Sequence, residues 1–341
     1  MNLKELSEHL NLSQTTVSRA LNGYPEVSEA TRRRVVDAAR ALHYSPNTRA
    51  KGLATGRAMA VGHVIPLSGQ HEMVNPVFGD FITGASEAYV KAGYDLMISV
   101  VEDGCEEQHY RRMKAMGNAD GVIVHGPRMD DPRISLLVEL GLPFVVHGRA
   151  SNVNTPYSWV DINNNRAFRR ATEFLLDLGH RRIALINGLE SMDFAFRRRA
   201  GYEGALAARG LAPDPDLMRS GEMTEVYGHR AAREMLRRDA APTAFLTSSL
   251  ITAIGVRRAV HDAGLTLGRD VSVITHDDDL SYLKNGEHIP LFTATRSSVR
   301  VAGRISAEML LGQIGGDMPS PATRMLEADL IIGQSTGPAP H

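Results

Sequence analysis

Five polar side chains fall within six consecutive positions near the start of the chain: Gln14, Thr15, Thr16, Ser18 and Arg19. Four carry compact hydrogen-bonding groups, and the fifth is a planar, bidentate donor. That set suits the base edges and phosphates of a DNA major groove. It can act as a set only if one element presents it on one face. Leu3, Leu6 and Leu10 share a face of a first helix, and Val17, Ala20 and Leu21 share a face of a second. Asn11-Leu12 supplies the turn, and the Ser13 hydroxyl can cap the second helix. The polar side chains then point away from the apolar seam, as a helix-turn-helix requires.

A second group of candidates lies far downstream. His276-Asp277-Asp278-Asp279 closes an apolar strand, and one histidine with three carboxylates raises the question of a metal. Consecutive residues at a strand end alternate in direction, so they do not converge on one ion. No metal or other cofactor is expected. No G-x-G-x-x-G follows the strand Met59–Pro66, no Walker-type phosphate loop occurs, and no Ser-centred elbow joins a strand to a helix. An enzyme is therefore not expected.

The 341 residues are enough for two or three folded units. Hydrophobic content of 43% and charged content of 23% are those of an ordinary soluble protein. No apolar run approaches the roughly 20 residues of a membrane span. Met1-Asn2-Leu3-Lys4-Glu5 enters a helix directly, without a signal sequence. Cys105 is the only cysteine, so no intrachain disulfide can form, which fits a cytoplasmic location. The net charge of -1 hides an asymmetry: residues 1–58 hold nine Lys/Arg against five Asp/Glu, and the remainder is acidic. A basic head on an acidic body fits a protein whose head touches nucleic acid.

A third helix, Glu29 to Leu42, follows a Ser28 cap. A break at Ser45-Pro46 leads into the short segment Asn47–Ala54. With Ser13, Thr16, Val17, Ser18, Arg19, Asn22, Val27, Ser28, Thr31, Arg32, Val35, Ala39, Leu42, Tyr44, Pro46, Asn47, Ala50 and Leu53 at fixed spacing, the first 53 residues resemble the LacI/GalR family of bacterial transcription regulators. The resemblance implies contacts to a pseudo-palindromic operator from Ser13, Gln14, Thr15, Thr16, Ser18, Arg19, Asn22, Thr31, Asn47, Ala50 and Leu53. Eight residues containing Gly52 are too few for a stable helix alone in water. Asn47–Ala54 is therefore expected to order as a hinge helix beside its twin on DNA, with Leu53 wedged into the minor groove.

From Met59 onward, strands and helices alternate, the pattern of parallel sheets wrapped by helices. The alternation restarts after the loop around Val153–Ser158. The expected fold is thus α/β: an all-α helix-turn-helix head on residues 1–46, a hinge and linker on 47–58, and a two-lobed core on 59–337. The resemblance implies a periplasmic-binding-protein-like core crossed three times by the chain. The first lobe is expected at about 59–157 and 292–322, the second at about 158–291 and 323–337. The tail after Ile332 carries no heptads and reads as disordered, so a homodimer is expected rather than a coiled-coil tetramer.

Ligands of such folds bind beyond the carboxyl ends of the strands, in the cleft between lobes. The candidate effector contacts are Phe78, His147, Arg149, Met192, Phe194, Arg198, Met223, Ser249, Asp277 and Ser297. Arg198, in RRRAGY, matches a family helix start whose arginine bonds ligand oxygens. Asp277 is, by resemblance, the carboxylate that accepts from an effector hydroxyl. Met223 stands where relatives place a stacking aromatic. Ser249 and Leu250 replace a common Asn-Asp, and Gly148 replaces a common Asp. The function implied is a repressor of a carbohydrate uptake or catabolism operon, released by a small sugar, with no membrane partner. The alternatives are a regulator activated by a non-sugar metabolite and a solute-binding transport protein; the basic head argues against the latter.

Overall fold

The computed structural model describes residues 2–21, 23–44, 56–67 and 75–340, in two units, Met1–Met59 and Ala60–His341. The expected contacts Asn22, Asn47, Ala50 and Leu53, and the expected hinge helix, lie outside the described residues.

The described residues of the first unit form three helices, α1 (Leu3–Leu10), α2 (Gln14–Leu21) and α3 (Glu29–Ala41). Their apolar seams meet as expected: Leu6, Leu10, Val17, Ala20, Val35 and Ala39 form its core. Asn2 and Glu5 make a reciprocal capping box on α1. Asn11 adopts a left-handed conformation and ends that helix. Ser13 accepts from the Thr16 amide at 3.0 Å, and Ser28 from the Thr31 amide at 3.3 Å, so α2 and α3 are both serine-capped.

The second unit contains two six-stranded sheets. The first has β1 (Ala60–Pro66), β2 (Asp95–Val101), β3 (Gly121–Val124), β4 (Phe144–His147), β5 (Trp159–Ile162) and β11 (Thr323–Leu326), in the order β11-β5-β4-β3-β1-β2. The second has β6 (Ile183–Asn187), β7 (Met218–Ser220), β8 (Ala244–Thr247), β9 (Ser272–Asp277), β10 (Thr293–Arg296) and β12 (Asp329–Ile331), in the order β12-β10-β9-β8-β6-β7. All pairs are parallel except β10–β12. Helices α4 (Pro76–Ala92), α5 (Glu106–Met116), α6 (Pro132–Leu140) and α11 (Val299–Gly315) cover the first sheet. Helices α7 (Asn164–Asp177), α8 (Asp193–Ala208), α9 (Glu225–Leu236) and α10 (Leu250–Asp262) cover the second.

Helices pair closely through glycine. A Cβ on Gly84 of α4 would sit 1.9 Å from the Arg300 carbonyl oxygen, and one on Gly303 of α11 would sit 2.1 Å from that of Phe81. Each glycine lets the opposite backbone pack where any side chain would collide.

The lobe boundaries differ from expectation. β5 pairs with β4 and β11, so residues 158–162 belong to the first lobe. β10 pairs with β9, so residues 293–296 belong to the second. β11 pairs with β5 in the first lobe, and only β12 ends in the second. A strand of three or four residues looks the same in either sheet; its hydrogen-bond partner decides its lobe. The tail is also anchored, not disordered. Ser335 is fully buried, its hydroxyl accepting from the Thr293 amide at 2.9 Å and donating to the Val273 carbonyl at 2.5 Å. The Ala339 amide donates to the Leu178 carbonyl at 2.9 Å. These are backbone and hydroxyl bonds, which apolar periodicity does not register.

Candidate functional site

A cavity of about 200 Å³ lies at the carboxyl ends of the strands, with walls from both lobes. Its apolar lining is Phe78 and Phe81 of α4 with Met192, Phe194 and Met223 from the second lobe. Its polar lining comprises His125 and His147 after β3 and at the end of β4, Asp161 on β5, Asn164 at the start of α7, Arg198 on α8, and Ser248 and Asp278 after β8 and β9.

Arg198 is the cation of the cavity lining. It is 5% exposed, and its guanidinium stacks between the rings of Phe168 and Phe194, at 5.0 and 4.9 Å. Nε donates to Asn164 Oδ1 at 2.8 Å, and Nη1 to the Ser248 carbonyl at 2.6 Å. Burial pulls its pKa down to about 10, against the pull of Asp278 and Asp161; it stays charged at neutral pH. The expected helix-start position is corrected, because α8 begins at Asp193 and Arg198 sits in its second turn.

Asp278 is opposed by its own burial, but His276, Arg198 and His147 hold its pKa below the usual carboxylate range. Asp161 accepts from Arg149 Nε at 2.7 Å; burial outweighs that partner and raises its pKa. Burial lowers His147 to about 4, against the opposing effect of Asp278, and also holds His125 well below its ordinary value. The two histidines on the wall are thus neutral hydrogen-bonding groups.

Of the expected contacts, Phe78, His147, Met192, Phe194, Arg198 and Met223 line the cavity. Arg149, Ser249, Asp277 and Ser297 do not. Arg149 pairs with Asp161 and lies over the Trp159 ring. Ser249 caps α10 by accepting from the Thr252 amide. Asp277 Oδ2 accepts from both Nε and Nη2 of Arg296 at 3.1 Å, and Ser297 stands 3.4 Å from His276 Nε2. In both strand-end pairs the neighbouring residue takes the place: Ser248 for Ser249, Asp278 for Asp277. The alternation of a strand end gives one residue in two, and only the fold shows which. Asp161, Asn164 and His125 carry no signal in the sequence, because β5 is only four residues long and the His-Gly after β3 matches no site motif.

The head has its own recess, lined by Ser13, Thr15, Thr16, Arg19, Ser28 and Thr31, with Glu26 and Val27. Both serine-capped helix starts open onto it, and helix N-termini attract phosphate. Gln14 is exposed beside it, and Ser18 is half-buried.

Comparison with known proteins settles the class. The model for bacterial regulatory proteins of the lacI family matches residues 2–47, and that for a periplasmic binding protein-like domain matches residues 172–336. The HTH-type transcriptional regulator AglR of Rhizobium meliloti (strain 1021) is 45% identical over 340 residues, covering 100% of this chain and 95% of its own. This chain belongs to the lacI family of bacterial transcriptional regulators. Among solved structures, a complex of the transcriptional regulator CelR with cellobiose matches with a TM-score of 0.72 at 30% identity, covering 98% of this chain and 99% of that one. The lac repressor dimer bound to operator and an anti-inducer matches with a TM-score of 0.84 at 25% identity, covering 99% of each chain. The lacI-family regulator described here therefore couples a DNA-binding head to a ligand-type core. Among its described residues, no group of three or more His, Cys, Asp or Glu is placed to hold a metal ion. No described helix is long and apolar enough to cross a membrane.

Proposed function

We propose that this regulator acts as a homodimeric repressor in the cytoplasm, holding a pseudo-palindromic operator until a small neutral sugar enters the cleft. The charge balance of the cavity carries the reading. Arg198 faces Asp278 and Asp161, and His125 and His147 are neutral, so an anionic effector meets carboxylates as well as the arginine. A polyol offers both donors and acceptors to that mixed set, and its apolar face fits Phe78, Phe194 and Met223. The relative solved with cellobiose supports a carbohydrate. In this reading the cleft binds and releases its ligand unchanged, and no residue is assigned a catalytic role.

On the head, Gln14 and Thr15 read base edges and Arg19 reaches a guanine, while Thr16, Ser18 and Thr31 hold phosphates. Leu53, from the sequence, serves as the minor-groove wedge. The experiment is operator binding followed by fluorescence anisotropy across a salt series, with cellobiose, α-glucosides and nucleosides added in turn. The expected result is a steep loss of affinity with salt, release by a sugar, and an Arg19→Ala variant about 10-fold weaker or worse. Release by a nucleoside alone, or binding that a sugar tightens, overturns the repressor-sugar reading.

A further inference from the structure

From the cavity wall inward runs a chain of three buried groups, of which the inner two, His63 and Tyr89, do not line the cavity. Tyr89 Oη lies 3.1 Å from His63 Nε2, and His63 Nδ1 lies 2.8 Å from His125 Nε2. Tyr89 is 1% exposed and His63 is fully buried. Only His125, at the end of the chain, lines the cavity.

A neutral imidazole has one donor and one acceptor nitrogen, so the state of one ring dictates that of the next. Among the described residues, the Tyr89 hydroxyl has His63 as its one hydrogen-bond partner. A phenol that keeps its proton must donate it there or leave it buried and unpaired, which is the costly arrangement. His63 Nε2 is then the acceptor, so His63 Nδ1 carries the hydrogen and donates it to His125 Nε2. The hydrogen of His125 must then sit on Nδ1. That atom has no protein partner among the described residues and is not among the buried unpaired atoms, so it opens on the cavity. Burial favours this neutral chain throughout: it raises the Tyr89 pKa, lowers His63 to about 3, and holds His125 well below its ordinary value.

We propose that Tyr89 and His63 are positioning residues that lock His125 in its Nδ1–H tautomer, so that the wall presents a fixed donor to an acceptor oxygen of the effector. The chain is a specificity device placed one layer behind the ligand. It rests on the reading of the cavity as the effector site, yet the tautomer itself can be measured without any effector.

The test is long-range ¹H–¹⁵N correlation of the full-length protein labelled with [¹⁵N]histidine, the His125 signals being assigned with His125→Gln. Wild type is expected to show a protonated Nδ1 and an unprotonated Nε2 at His125. Tyr89→Phe removes the hydroxyl that sets the order, and both nitrogens should move toward averaged values. His63→Leu, a second variant in case the first misfolds, should do the same. An unprotonated Nδ1 in wild type, or a tautomer unchanged in a folded Tyr89→Phe protein, overturns the proposal. Calorimetry with methyl α-glucoside and cellobiose forms the second arm, in which Tyr89→Phe should weaken whichever sugar binds by about 3- to 10-fold. If neither sugar binds while His125 shows the expected tautomer, the sugar reading fails and the relay stands.

Discussion

Asp278 Oδ1 lies 3.4 Å from Nε2 of the buried His276, while Oδ2 of the preceding Asp277 accepts both hydrogen bonds of the Arg296 guanidinium. One residue of register separates a ligand-facing carboxylate from a structural ion pair. Asp278→Asn should therefore weaken effector binding roughly 10- to 100-fold, the cost of losing a hydrogen bond to a charged group. Asp277→Asn should leave that affinity within about threefold and lower thermal stability by about 1 kcal/mol, since its arginine is only partly buried. Calorimetric titration and thermal unfolding of both variants check the pair, and equal losses of affinity would refute the assignment.

Two polar contacts join the lobes. The Asp80 carboxylate on α4 accepts the Ser281 amide at 2.7 Å and the Ser281 hydroxyl, across to the second lobe. In the other contact, Asp193 of α8 accepts the Ser151 amide at 2.8 Å. Asp80→Ala should favour the open cleft and reduce effector affinity roughly tenfold. Small-angle scattering of the ligand-free protein should show a larger radius of gyration, and unchanged scattering and affinity would count against the Asp80 contact.

Histidines in the core and on the cavity wall make stability sensitive to acid. Burial lowers His63 to about 3 and His147 to about 4, and also depresses His125 and His276. Unfolded histidine titrates near 6.5. Between about pH 6.5 and 4 the unfolded chain binds protons that the folded chain refuses, so stability present above pH 6.5 is lost as pH falls. His63 and His147 each contribute up to about 1.4 kcal/mol per pH unit in that window, and His125 and His276 act in the same direction. Melting curves at pH 7.5, 6.5 and 5.5 should show little change over the first step and a clear drop over the second. His63→Asn should flatten the drop.

The helix pair α4–α11 tests the glycine contact. Gly303→Ala forces a methyl against the Phe81 carbonyl and should cost about 1–3 kcal/mol. Gly204→Ala is the control, because a Cβ there meets nothing within 4 Å. Similar melting temperatures for the two variants would disprove the close packing.

The sequence by itself determined the head. Its helices are short, their apolar seams are periodic, and their caps are local, so Leu6, Leu10, Val17 and Ala20 could be placed without seeing the fold. It also determined the α/β alternation and six of the cavity residues, because bulky apolar runs and the RRRAGY stretch announce themselves along the chain. Tertiary structure decided the rest. Whether β5, β10 and β11 join one sheet or the other depends on backbone partners far away in sequence. Whether Asp277 or Asp278 faces the cleft depends on where β9 ends against β10. Asp161, His125 and His63 gain their roles from neighbours on other strands, and pairing across strands is a property of the folded chain that linear spacing does not contain.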